Sequence, residues 1–156
     1  MECFKATDGD LNAIIGYIVL ARKTATKGDS MAPGQSADNG YNVPEGINPG
    51  LLAEVSAANI SISQATENID RYELIYMCVE PSYQRQGVGS SLLQLGFDRA
   101  RAEGLPLVVA GEAPAYGFFD TVGFKETRHI DIDLRKYTPA NSGFGNFRLT
   151  GMIWKH

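Results

Sequence analysis

Between an apolar run, Leu74-Ile75-Tyr76-Met77-Cys78-Val79, and a stretch with helical spacing from Val88 onward, the chain places Gln86-Gly87-Val88-Gly89. No other feature constrains the fold as strongly. A strand, a glycine turn and a helix in that order put the first helical N–H groups at the end of a strand, where they have no partner inside the helix. The helix dipole makes that end positive. Bare backbone at Gly87 and Gly89 lets phosphate oxygens approach, and Arg85 adds a charge-assisted partner. The same glycines would also serve simply to turn the chain. Two standard nucleotide motifs are absent. The dinucleotide fingerprint lacks its third glycine and its acidic ribose partner, and no Gly-Lys-Ser/Thr follows, so this is not a P-loop.

Hydropathy patterning sets the elements around this junction. Residues 72–79 are apolar on both parities, as expected for a central strand covered on both faces. Val88, Leu92, Leu93, Gly96, Phe97 and Ala100 recur at helical spacing, and Gly104 supplies a stop. Upstream, 3–8 and 13–23 read as a β-hairpin turning at Asp8-Gly9, with Gly16 marking a bulge or a close backbone approach. Residues 24–50 lose periodicity in favour of Gly, Pro, Ser and Asn and read as a long surface loop. Asn48-Pro49 then opens a helix expected over 49–66. Downstream come a strand at 105–111, a short helix in 113–122 ending at Gly123, an alternating strand from Phe124 to Leu134 and a last strand at 146–154. The order is ββ, loop, α, β, α, β, α, β, β. It predicts a mixed α/β (α+β) sheet flanked by helices in one domain, 1–156, not a regular doubly wound fold.

Composition excludes several functions. With a net charge of −4, the chain lacks the basic surplus on which general nucleic-acid binding rests. Cys3 and Cys78 have no metal-ligand spacing, so no metal site is expected, and both read as buried free thiols in strands. The longest apolar run, 13–21, is too short to cross a bilayer. The N-terminus has no charged-then-apolar leader pattern. A cytoplasmic setting without membrane attachment is expected.

Gln84-Arg85-Gln86-Gly87-Val88-Gly89 resembles the Q/R-x-x-G-x-G/A signature of the GNAT superfamily of N-acetyltransferases. The surrounding 72–100 resembles the family's strand-loop-helix acetyl-CoA motif, and Phe118-Phe119-Asp120-Thr121-Val122-Gly123-Phe124 resembles its Y-E-K-L-G-F segment. Residues 44–52 and the ending 147–154 look like those of small fungal-type members. The resemblance implies a GNAT-like, mostly antiparallel sheet. It implies acetyl-CoA as cosubstrate, with pantetheine beside Met77, Cys78 and Val79. The pyrophosphate would lie against the loop of Gln84, Arg85, Gln86, Gly87, Val88, Gly89 and Ser90. It further implies transfer of an acetyl group to a primary amine, read as that of a small molecule, by direct attack in a ternary complex. That suits a chain with no Ser/His/Asp or Cys/His arrangement.

Glu73 matches the general-base glutamate of the family's histone-acetylating branch, and it reads equally as an exposed strand-end residue. The tyrosine that protonates the departing thiolate in the family corresponds here to Phe119, which has no proton to give; the ring is expected against the cofactor. Tyr116, one helical turn earlier, is the candidate acid or else an aromatic packed beside pantetheine. Water could serve instead, or the activity could be lost or changed. That last reading gives an alternative function, a repurposed GNAT fold that binds CoA as a regulator or carries out other chemistry. His129, Asp131 and Asp133 read as a solvated strand face, Glu112 as a residue at a ligand-binding strand end, and Asp8 as a turn residue. The family's first strand and two helices have no counterpart ahead of Phe4. The acceptor wall is therefore expected from the 24–50 loop and its helix or from a second subunit, and a homodimer is expected.

Overall fold

The structure is a computed structural model that describes residues 1–26 and 45–156. Most of the long loop expected at 24–50 lies outside the described residues. Six strands and three helices follow one another in the expected order: β1 (Glu2–Thr7), β2 (Ile14–Lys23), α1 (Pro49–Gln64), β3 (Arg71–Val79), α2 (Val88–Glu103), β4 (Leu107–Glu112), α3 (Ala113–Thr121), β5 (Lys125–Asp133) and β6 (Asn146–Trp154). The strands form one sheet in the order β1-β2-β3-β4-β6-β5. Only β3 and β4 run parallel, because α2 crosses between them. The other four pairings are antiparallel.

Helices cover both faces unequally. Leu92, Leu93, Phe97 and Ala100 of α2 pack on Ile18, Leu20, Leu74 and Leu107, and Phe119 of α3 joins the same core with Phe124 and Trp154. On the opposite face Ala58 and Ile62 of α1 pack on Ile132 and Leu149. That second cluster lies over β4, β5 and β6 and leaves the β1–β3 part of this face with Tyr17 and Tyr76 exposed.

Local signals account for the helix ends. Asn48 Oδ1 accepts from the N–H groups of Gly50 and Leu51, with Pro49 at the first helical position. Helix α1 ends at Gln64, two residues before the expected boundary. Gly104 stops α2 at φ 66°, a left-handed conformation that costs glycine little.

Two expectations need correction. The hairpin turns through six residues rather than at Asp8-Gly9, and its positive φ falls on Asn12 at 49°. Asp8 makes this loop by side-chain capture: its Oδ1 accepts from Asp10 N–H at 2.9 Å and Leu11 N–H at 3.3 Å, an Asx turn that removes the need for a left-handed glycine. Cys3 and Cys78 are exposed rather than buried, because their strand positions point to the face that α1 leaves uncovered.

Candidate active site

Strand β3 leaves its neighbour part-way along. It pairs with β4 only at Tyr72, Glu73 and Leu74, opposite Leu107, Val108 and Val109. Beyond that point β4 stays with β6 as far as Glu112, while β3 stays with β2 as far as Val79. The register of β2 against β3 shifts at this place: Leu20 lies opposite Leu74 and Val19 opposite Tyr76, so Ile75 is an extra residue. A bulge bends a strand and increases its twist. It opens a wedge between β3 and β4 on the C-terminal side of Leu74.

Alternation along β3 determines which backbone groups face the wedge. In an antiparallel ladder every second residue exchanges hydrogen bonds with the partner strand. Glu80 N–H donates to Ile15 O at 2.9 Å, so Glu80 and, two residues back, Cys78 direct their peptide groups to β2. Those of Met77 and Val79 therefore face the wedge. Val79 O confirms the phase, for it accepts from the Gln84 amide at 3.1 Å. Cys78 lies between Met77 and Val79, with its backbone paired to Tyr17 and its thiol exposed.

The wedge ends at the N-terminus of α2. Arg85 and Gly87 both adopt left-handed backbone, φ 61° and 86°. Two such residues turn successive N–H groups toward a common concavity. Ser91 N–H is an intrahelical donor, reaching Gly87 O at 2.9 Å, so those of Val88, Gly89 and Ser90 lie ahead of it. No side chain caps this helix, in contrast to α1. The setting fits a diphosphate: a row of uncapped amides, the positive end of a 16-residue helix, and open space where a Gly87 Cβ would stand.

The two glycines divide the work differently from the expectation that both clear space for phosphate. A Cβ on Gly89 would lie 3.1 Å from Met77 Cε and 3.8 Å from Phe118 Cζ. Gly89 therefore lets the helix start close to β3 and α3. Exposed glutamines 84 and 86 brace the loop: Gln84 holds it to the end of β3, and Gln86 Nε2 donates to Ser82 O at 2.8 Å.

Glu73 sits on the α1 face beside the point where β3 and β4 part, with its side chain 23% exposed. It lines a cavity of about 20 Å³ with Ser63, Thr66 and Thr127, space for about one water molecule. The wall is not only apolar. Arg71, itself buried, brings Nη2 to 3.9 Å from Glu73 Oε2 while Nη1 donates to Thr66 O at 3.0 Å. Sequence reading passed over Arg71, whose only signal is an i, i+2 spacing that places two strand side chains on one face.

Tyr116 is exposed on α3 and Glu112 is exposed at its start. Phe119 is 5% exposed, edge-on to Phe118 and Phe124 with ring centroids 5.3 Å apart in each case, so it belongs to the packing beneath the wedge. His129 bonds Glu126 at 2.7 Å, and Asp131 and Asp133 pair with Arg148 and Arg135 on a solvated surface away from the wedge. Among the described residues no group of three His, Cys, Asp or Glu side chains is placed to hold a metal ion.

Known proteins share this architecture. Residues 51–126 match the family model described as an acetyltransferase (GNAT) domain. A ribosomal-protein-bS18-alanine N-acetyltransferase of Escherichia coli (strain K12) is 30% identical over 101 residues, 62% of this chain and 64% of that protein. The chain thus matches under two thirds of the length of that curated relative. Among solved structures, a mosquito arylalkylamine N-acetyltransferase like 5b aligns at TM-score 0.62 and 14% identity, covering 99% of this chain and 74% of that one. The Bacillus subtilis N-acetyltransferase YlbP, in complex with coenzyme A, aligns at 0.51 and 16%, covering 99% and 67%. At these identities the structural likeness speaks to fold. The fold these likenesses define is a mixed α/β sheet flanked by helices. Over residues 51–126 the chain is similar to the GNAT acetyltransferase domain.

Proposed function

We propose that the chain is an acetyl-CoA-dependent N-acetyltransferase that moves an acetyl group to a primary amine of a small molecule by direct attack in a ternary complex. The observation that carries this reading is the uncapped amide row at Val88–Ser90, placed at the mouth of the wedge that opens after Leu74. These amides, with Gln86, Gly87 and the Arg85 guanidinium, would hold the diphosphate. The wedge-facing peptide groups of Met77 and Val79 would hold the pantetheine arm as an added strand edge. When bound, acetyl-CoA supplies an activated thioester carbonyl. The Val79 N–H, which faces the wedge, would donate to that carbonyl oxygen as it gathers negative charge. Glu73 would take the amine proton, directly or through a water in its cavity. The buried Arg71, with Nη2 3.9 Å from Glu73 Oε2, would help hold that carboxylate in place. Tyr116 would return a proton to the thiolate.

Titration calorimetry with CoA, followed by release of free thiol from acetyl-CoA across a panel of amines, tests the reading. Binding with turnover supports it; no binding and no turnover would end it. One observation favours a second reading, a GNAT fold that binds CoA as a regulator or for other chemistry: Phe119 puts a buried hydrocarbon ring where the family places a phenol. Tight CoA binding with no transfer to any amine would select that reading.

A homodimer and a cytoplasmic setting belong to the same proposal. The exposed Tyr17 and Tyr76 on the uncovered sheet face support the first, and two free exposed cysteines fit a reducing compartment. A monomer by light scattering at high concentration would count against the dimer.

A further inference from the structure

Asp8 reads in the sequence as a turn residue, yet its carboxylate reaches beyond the turn. While Oδ1 organises the β1–β2 loop, Oδ2 accepts a 2.6 Å hydrogen bond from the Tyr83 hydroxyl. Tyr83 lies in the single 3₁₀ turn, Pro81–Tyr83, that leads from β3 into the amide row of α2. We propose that Tyr83 and Asp8 are positioning residues for the diphosphate loop: together they clamp it to the β1–β2 hairpin and so fix the direction in which the Gln86–Ser90 amides point. The inference rests on the acetyl-CoA reading above.

The loop needs such a clamp. Its backbone restraints are a Tyr83 N–H bond to Glu80 O at 2.8 Å and a Gln84 N–H bond to Pro81 O at 3.3 Å, both within the turn. The Gln84 and Gln86 side chains tie the loop to β3 and to itself. Tyr83 ties it to a different element. The hairpin is a firm anchor. Ile15 O accepts from Glu80 N–H beside it, and Gly16 brings β2 so close to β3 and α2 that a Cβ there would stand 2.9 Å from Cys78 O and 3.1 Å from Leu92 Cδ1. Arg85 meanwhile holds a left-handed backbone unfavourable for a residue with a Cβ, so the loop has reason to relax once released. The electrostatics agree with a strong bond. Hydrogen bonds from Tyr83 and from the Asp10 and Leu11 amides hold the Asp8 carboxyl below its ordinary range, and the same bond holds the Tyr83 phenol above its own.

Freeing the loop makes ligand binding bear the ordering that the clamp performs in advance. Neither group touches reacting atoms. The loss should therefore appear in coenzyme affinity and in KM for acetyl-CoA, with kcat preserved.

Tyr83→Phe removes one oxygen and is the cleanest variant. A control is available: Tyr72 makes a similar hydroxyl–carboxylate bond, 2.5 Å to Glu103, at the far end of β3. Calorimetry with CoA and steady-state kinetics on the wild type, Tyr83→Phe, Asp8→Asn, the double variant and Tyr72→Phe form the test. Tyr83→Phe is expected to weaken CoA binding and raise KM for acetyl-CoA about ten-fold, the scale of one hydrogen bond to a charged group. kcat should stay within about two-fold, and the double variant should be no worse than the poorer single one. Tyr72→Phe should lower the melting temperature and leave CoA affinity unchanged. Unaltered CoA affinity in Tyr83→Phe, or an equal loss in Tyr72→Phe, overturns the clamp while the acetyltransferase reading stands. A wild-type protein that binds no CoA overturns both.

Discussion

At the scale of single residues, two of the close-approach glycines, Gly16 and Gly89, differ in what their missing Cβ would meet. At Gly16 it is a backbone carbonyl, Cys78 O at 2.9 Å, which cannot turn aside. At Gly89 it is the end of a flexible methionine at 3.1 Å. Gly16→Ala is therefore expected to destabilise the fold by about 1–3 kcal/mol, the range for forced overpacking. Gly89→Ala should cost less, because Met77 can change rotamer; thermal melts of the two variants decide the order. Glu73 makes a different prediction. Glu73→Gln keeps shape and removes basicity, so kcat should fall by roughly 10²–10⁴-fold with CoA affinity unchanged, the range for loss of a general base. An unchanged kcat would return Glu73 to the role of a partner for Arg71.

At the scale of elements, the two long helices begin in opposite ways. Helix α1 satisfies its first amides with Asn48, whereas α2 begins at a left-handed glycine with no side-chain acceptor. One end is closed by a side chain, and the other leaves its first amides uncapped. Asn48→Ala should cost about 1 kcal/mol, read as a lower melting temperature, with no change in CoA binding. The open end lies where the neighbouring strand parts from its partner. Strand β3 read in the sequence as covered on both faces throughout, and this holds for its first half. Past the Ile75 bulge, Tyr76 and Cys78 are exposed. Apolar composition reports a preference for strand and burial. It does not reveal that one side of the ladder has been left without a partner.

At the scale of the molecule, three tyrosine–carboxylate bonds tie distant segments together: Tyr83 to Asp8, Tyr72 to Glu103 and Tyr137 to Glu54. Those hydrogen bonds hold the three carboxyls below their ordinary values and the three phenols above theirs. Bonds from Arg148 and Arg135 likewise hold Asp131 and Asp133 low. The sign follows from linkage. A carboxyl with a depressed folded value contributes fully above its unfolded value and loses that contribution as pH falls through the folded one. A phenol with a raised folded value contributes fully below its unfolded value and loses it as pH rises through the folded one. Melting temperature should therefore be flat between roughly pH 5 and pH 9 and fall on both sides, given ordinary carboxyl and tyrosine values near 4 and 10. A steady decline from neutrality to pH 5 would contradict this.

The order of elements, the helix cap at Asn48, the stop at Gly104 and the glycine junction were legible in the sequence, because periodicity, capping chemistry and positive φ are local properties that a few neighbouring residues fix. The hairpin turn was misplaced since Asp8 can bond either within its loop or across to another segment, and composition does not say which. Gly87 and Gly89 looked alike in the chain; packing against Met77 and Phe118 made one a close contact and left the other facing open space. The wedge after Leu74, the Arg71–Glu73 pair and the Tyr83–Asp8 clamp were decided by the tertiary structure alone. Each depends on which strand or loop lies alongside, and that is settled by the packing of the whole sheet.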